Sequence, residues 1–172
     1  AAATGGSLYS GRLLGGGGTT TLTKTGPGDF RTQSTSYNTF TKLVVNQGMF
    51  RPGSAIASSL NENTLSGAGV FGAIPVGFIA DQITLDGGAL GNVNNITLHN
   101  NRGITLGNGG GILSVDNGAM TIPGAITGSG TLTIGRVTGT TGTATMTLSG
   151  INDYTGTTLV KAGKLSVGNA NA

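Results

Sequence analysis

Groups able to do chemistry are scarce in this chain. Six carboxylates (Asp29, Glu62, Asp81, Asp86, Asp116 and Asp153), one imidazole (His99) and no thiol supply every side chain suited to moving a proton near neutral pH or holding a metal. Hydrolysis or elimination on a polysaccharide needs carboxyls, or a carboxyl and a base, converging on one bond. Asp81 and Asp86 have opposite parity in an extended chain and so face opposite sides of one strand. A catalytic pair would therefore have to come from different turns of the chain. Asp86 opens a Gly-rich corner, where a carboxylate ordinarily caps backbone N–H groups. His99 shares parity with Thr97 and is expected on the solvent side. No catalytic residue, metal site or cofactor is expected.

Gly67-Ala68-Gly69-Val70-Phe71-Gly72 satisfies G-x-G-x-x-G, but a dinucleotide site needs a helix directly after the glycines to receive the phosphate. Pro75 and Gly77 forbid a regular one. Nine basic residues against six acidic ones leave a net charge of +3. They are scattered, with no run and no aromatic interleaving, so a nucleic-acid partner is not expected. The absence of cysteine excludes a disulfide framework and thiolate metal sites. The N-terminus has no signal-peptide pattern, which places any export signal outside these residues. The longest apolar run, at 67–80, is too short to span a bilayer as a helix.

The elements that must carry these residues are read from a short recurring pattern, two apolar residues flanking one Ser or Thr. It begins at Ile83, Ile96, Ile104, Leu113, Met120, Leu132, Met146 and Leu165. Period-two alternation buries the flanking residues and exposes the middle one, as in a half-buried strand. Between the triplets lie corner formers such as Asp86-Gly87-Gly88, Asn100-Asn101-Arg102-Gly103 and Asn108-Gly109-Gly110-Gly111. Glycine fills 34 of 172 positions and charged residues 9%, yet 36% of residues are hydrophobic, so the chain is expected to fold rather than stay disordered. Residues 54–60 suit two helical turns or a loop equally.

Short strands at this spacing fit an antiparallel sandwich or a parallel solenoid, and Asn108-Gly109 and Asn117-Gly118 would serve as hairpin turns. Aromatics make up only 5% of residues with no Trp, fewer than sandwich cores usually use, and a narrow coil can be filled by Ile, Leu, Val and Met. Residues 34–55 also align without a gap on 149–170, matching Val45 with Val160, Gly48 with Gly163 and Gly53 with Gly168, while Phe50 meets Leu165. A block used twice points to repeated units that bury their apolar faces by stacking. The expected fold is an all-β, right-handed parallel β-helix (β-solenoid) of short strands and Gly/Asn-rich corners. One unit is expected over 1–172, with repeat-like blocks at about 19–55 and 130–170 and an apolar insertion at about 67–80. Asn and Thr stacked on successive coils are expected to hydrogen-bond along the axis.

The strings DQITLDGGALG (81–91), NRGITLGNGGG (101–111), GAITGSGTLT (124–133) and LSGINDYTGTTLVKAGKLSVGNA (148–170) strongly resemble the autotransporter-associated β-strand repeat, and TLTKTGPG (21–28) looks like its Lys-Thr-Gly opening. The resemblance implies a parallel β-helix in the stalk or passenger of a large exported bacterial protein, at the cell surface or outside it. Two stretches depart from the pattern, 27–34 and the apolar 67–80. A structural or adhesive module is therefore expected, not an enzyme. It is expected to stack end to end on neighbouring repeats or copies as an open filament, and surface glycans are a further expected partner class. Val70, Phe71, Ile74 and Phe78 are expected as lateral assembly contacts. The alternatives are a β-helix polysaccharide lyase or hydrolase, and an ice- or glycan-binding solenoid suggested by Thr131-Leu132-Thr133 and Thr145-Met146-Thr147.

Overall fold

The computed structural model describes residues 7–32, 37–52, 59–115, 118–135, 137 and 144–169. The chain winds as a parallel β-solenoid of about 6 turns. It opens with β1 (Ser7–Tyr9), followed by β2 (Thr21–Lys24) and β3 (Asp29–Thr32), then β4 (Lys42–Val45), β5 (Met49–Pro52) and β6 (Ser59–Asn61). A 3-10 turn at Glu62–Thr64 and two short strands, β7 (Ala68–Gly69) and β8 (Gly72–Ala73), interrupt the winding. It resumes with β9 (Ile79–Leu85), β10 (Ala89–Leu90) and β11 (Asn95–Thr97), and continues with β12 (Arg102–Leu106), β13 (Gly111–Ser114) and β14 (Met120–Ile122). The last elements are β15 (Ile126–Gly128), β16 (Leu132–Gly135), β17 (Thr145–Leu148), β18 (Thr158–Val160) and β19 (Lys164–Val167).

These strands make three faces. The leading sheet runs β2-β4-β9-β12-β15, the long sheet β1-β3-β5-β10-β13-β16-β18, and the trailing sheet β6-β11-β14-β17-β19. Every pairing within them is parallel, and only the small β7–β8 pair is antiparallel. The sandwich is thereby excluded, and Asn108-Gly109 turns a corner between β12 and β13 rather than a hairpin.

In-register stacking sorts side chains into columns spaced about 4.8 Å apart along the axis. The leading sheet contributes Leu22, Leu43, Ile83, Ile104 and Ile126. The long sheet contributes Phe30, Phe50, Leu90, Leu113, Ile134 and Val160. The trailing sheet contributes Leu60, Ile96, Met120, Met146 and Leu165. Both flanking apolar residues are buried in seven of the eight triplets. In the eighth, Leu165 is partly covered and Val167 is 53% exposed, although it is in register with buried Leu148. Column position aims Val167 inward, and no described coil lies beyond to cover it. The core is also less purely aliphatic than its composition suggests. Near its start Phe30, Phe40, Phe50 and Phe71 meet at centroid distances of 5.8 to 6.2 Å around Phe50.

The corners follow from backbone conformation. Gly26, Gly48, Gly87 and Gly110, each between a leading and a long strand, all have φ between 69° and 98°, a region closed to most other residues. Gly163, between β18 and β19, has φ 72°. The block aligned at 34–55 and 149–170 thus shares one strand–glycine–strand unit, but on different faces. Val45 lies in the leading sheet and Val160 in the long sheet, so the similarity is one of local corner geometry and not of position around the coil. Of the segment 54–60, Ser59 and Leu60 belong to β6, and 54–58 lie outside the described residues.

The Asn side chains at two corners act differently from a ladder of like on like. They bridge coils by bonding to backbone: Asn95 Oδ1 accepts from Ala119 N–H at 2.9 Å and Asn152 Oδ1 from Ile126 N–H at 2.8 Å. Buried Asn92 donates to the carbonyls of Asn94, Gly118 and Ala119. Thr stacking is seen at Thr105 and Thr127, whose hydroxyls lie 3.1 Å apart. Leu148→Asp, which buries a carboxylate at a position 2% exposed, is expected to lower stability by about 4 kcal/mol or more. Thr147→Asp on the outer side should change the melting temperature little, and equal losses for the two variants would refute the assignment of faces.

Candidate functional site

Each described carboxylate has its own surroundings. Asp29 pairs with Arg51 across β3 and β5, and Asp81 with Lys42 across β9 and β4. Asp86 Oδ1 accepts the Gly109 N–H at 2.7 Å, capping the corner of the next coil as a Gly-rich turn invites. Asp153 is exposed near the end of the chain. Asp116 lies outside the described residues. No group of three or more His, Asp or Glu able to hold a metal occurs among the described residues.

Glu62 is the acid that sequence reasoning placed least well. It is fully buried and forms a bidentate pair with fully buried Arg102, Nε to Oε2 at 2.7 Å and Nη2 to Oε1 at 3.1 Å. Arg102 also donates to the carbonyls of Phe71 at 3.1 Å and Gly72 at 2.8 Å. Glu62 in turn accepts the N–H of Val70 at 3.0 Å and of His99 at 3.2 Å. His99 is partly buried beside this pair, and its Nδ1 accepts the Asn101 N–H at 3.1 Å. Both charges are paired and hydrogen-bonded, which is the condition for tolerating them in an apolar interior. The arrangement is a clamp that fastens the 62–73 detour to the start of β12.

The G-x-G-x-x-G string lies inside this clamp. Gly67 and Gly72 have φ 77° and 97°, and Gly69 lies so close to Glu62 and Arg102 that a Cβ there would come within 2.6 Å of both. The glycines serve the β7–β8 turn, and no helix follows them. Of the four residues expected as lateral contacts, Val70 is 2% and Phe71 0% exposed, Ile74 is half-buried and Phe78 is 52% exposed. Val70 and Phe71 fill the chain's own core, so the surface part of the insertion is instead Val76, Phe78 and Ile79. The insertion is apolar because the detour needs a core of its own, which composition alone does not distinguish from a docking patch.

The threonine strings do not make a double row. Thr97, Thr121 and Thr147 stack in one outward column of the trailing sheet, and Thr84, Thr105 and Thr127 in one column of the leading sheet. Beside the first column, Thr145 is followed by Lys164, so no regular Thr-x-Thr face results.

The two ends of the winding differ. At the head, Lys24 takes the register position that Val45, Leu85 and Leu106 fill in later coils. Its ammonium donates to the carbonyls of Thr25 at 2.9 Å, Gly26 at 2.6 Å and Gln47 at 3.2 Å. Burial pulls its pKa below the ordinary lysine value, and nearby Asp29 acts in the opposite direction. Beside it lies a hollow of about 180 Å³ lined by Leu22, Thr23, Lys24, Thr25 and Phe30. In the last coil, β18 and β19 have a neighbour on one side only among the described strands, and Ile151, Leu159, Val160 and Val167 are 39 to 63% exposed. Residues 150–157 close the leading face there, with Asp153 and Thr155 N–H groups donating to Ile126 and Gly128.

Residues 140–167 match the family model of the passenger-associated-transport-repeat. The matched segment contains β17, β18 and β19, so the resemblance read from LSGINDYTGTTLVKAGKLSVGNA is borne out there. No curated protein and no solved structure matches the chain. Arg102→Met, which leaves the Glu62 carboxylate buried without its cation, is expected to cost about 3–5 kcal/mol of stability. The double variant Glu62→Gln, Arg102→Met should recover part of that loss. Melting of the single variant at the wild-type temperature would show that the pair does not hold the detour in place.

Proposed function

We propose that this chain is a structural and adhesive β-solenoid module of a secreted bacterial surface protein, one that builds length and displays surface rather than turning over a substrate. The observation that carries the reading is the passenger-associated-transport-repeat at 140–167, wound into the same continuous set of coils as the rest of the described chain. A transport repeat at the end of a continuous rod supports a place in an exported passenger, outside the cell or on its surface. Parallel sheets satisfy backbone groups from coil to coil, and such a rod can be lengthened by adding coils without redesigning a globular core. The dispersal of Asp29, Glu62, Asp81 and Asp86 among separate partners supports the same reading over that of a polysaccharide lyase or hydrolase.

Incubation of the 172-residue chain with a panel of acidic and neutral polysaccharides is expected to release no new reducing ends and no unsaturated products. Turnover abolished by replacing one of the six acids would establish the enzyme instead. A glycan array provides the matching measurement for adhesion, where binding without cleavage is the expected outcome.

A further inference from the structure

We propose that the corner between β12 and β13 is a self-modification site, at which the backbone nitrogen of Gly109 converts the side-chain amide of Asn108 to a carboxylate with Asp86 as the base. The groups involved come from three successive coils of the winding, with Asp86 after β9, Asn108 and Gly109 after β12, and Ser129 after β15.

An asparagine followed by glycine carries its own nucleophile. The nitrogen of the next peptide lies one ring closure away from the side-chain carbonyl carbon, and glycine has no side chain to hinder the approach. In an unfolded chain the reaction is slow, because a peptide N–H is a very weak acid and an amide carbonyl a poor electrophile. The winding addresses both. Gly107 O accepts the Gly110 N–H at 2.9 Å, closing a turn with Asn108 and Gly109 as its central pair. Both central residues are exposed, so water reaches the amide.

The Gly109 N–H is directed at the preceding coil, where Asp86 Oδ1 accepts it at 2.7 Å. A carboxylate at hydrogen-bond distance from the proton to be removed is in place to act as a general base. That bond lies in the peptide plane, whereas attack uses the electron pair perpendicular to it, so capping the N–H does not block the nitrogen. From the following coil Ser129 Oγ donates to Asn108 Oδ1 at 3.3 Å. A donor at this oxygen stabilises the negative charge that gathers there as the carbonyl becomes tetrahedral.

The Gly109 N–Asn108 Cγ bond forms, the Gly109 proton passes by way of Asp86 to Asn108 Nδ2, and the Cγ–Nδ2 bond breaks with loss of ammonia. Water then opens the cyclic imide at either carbonyl and leaves aspartate or isoaspartate at 108. Nothing is oxidised or reduced, and Asp86 returns to its carboxylate form. The product places a second negative charge beside Asp86, and its isoaspartate form lengthens the backbone of a corner that sets the phase of β13.

The test follows the purified 172-residue chain at neutral pH over time. Fragmentation mass spectrometry reads aspartate and isoaspartate at residue 108 and separates it from Asn117-Gly118, which lies on the same tryptic peptide. The folded chain is expected to convert at Asn108 about tenfold faster than the same chain unfolded in urea, and Asp86→Asn, checked for folding by its melting curve, should bring the rate down to that of the unfolded chain. A folded wild-type chain that reacts at the urea rate or more slowly would overturn the proposal, as would a folded Asp86→Asn variant that reacts as fast as wild type. Should Asp86→Asn fail to fold, the comparison of folded and urea-unfolded wild-type chains decides alone.

Discussion

Register between coils is the constraint on which this molecule depends. Apart from the small β7–β8 pair and an isolated bridge between Asn38 and Gly69, the described strand pairing joins one coil to the next, never neighbours within a coil. A strand is therefore satisfied only when the coil above and the coil below arrive at the same height with the same parity. A slip of one residue would turn Ile104 outward and Thr105 inward, and every column beyond would lose its continuity. The corner glycines protect this register. The positive φ shared by Gly26, Gly48, Gly87 and Gly110 turns the chain from the leading to the long sheet in the same way each time, so the following strand starts in phase.

Between Asn61 and Ile79 the chain leaves the regular winding, and the cost of doing so is visible in its polar interior. The detour needs an apolar core, supplied by Val70 and Phe71 against Phe40 and Phe50, and an anchor that returns the chain to phase. Glu62 and Arg102 provide the anchor. Their pairing binds the carbonyls of Phe71 and Gly72 and the N–H groups of Val70 and His99 into one network. It sits where β9 and β12 shift register between Arg102 and Ile104. An ion pair suits this place better than another leucine because its directional bonds fix orientation as well as depth, and a wrongly phased coil would leave two charges buried without partners.

Regularity in the later coils and irregularity at the ends belong to the same physics. Where one coil lies on another, apolar, Ser or Thr, apolar suffices as a code. The first and last described coils differ from that code in different ways. The first coil carries Phe30 of the aromatic cluster and Lys24, whose ammonium binds corner carbonyls, while the last keeps the repeat pattern to its last described strand. The passenger-associated-transport-repeat match covers the strands of that last coil.

The amino-acid sequence alone determined the class of fold and most of the core. Parity in triplets such as Ile83-Thr84-Leu85 and Met146-Thr147-Leu148 is a local property set by the pleat, and glycine at a corner is a local property set by φ, so both can be read without knowing what packs against them. Kinship of the 148–170 string was legible for the same reason. The clamp was not. Glu62 and Arg102 are separated by a whole coil and the detour, and nothing around either residue marks it as buried. Val70 and Phe71 make the same point from the apolar side: both looked like a surface patch and fill a core. Whether a hydrophobic side chain is covered depends on which coil lies beyond it, and only the winding of the whole chain decides that.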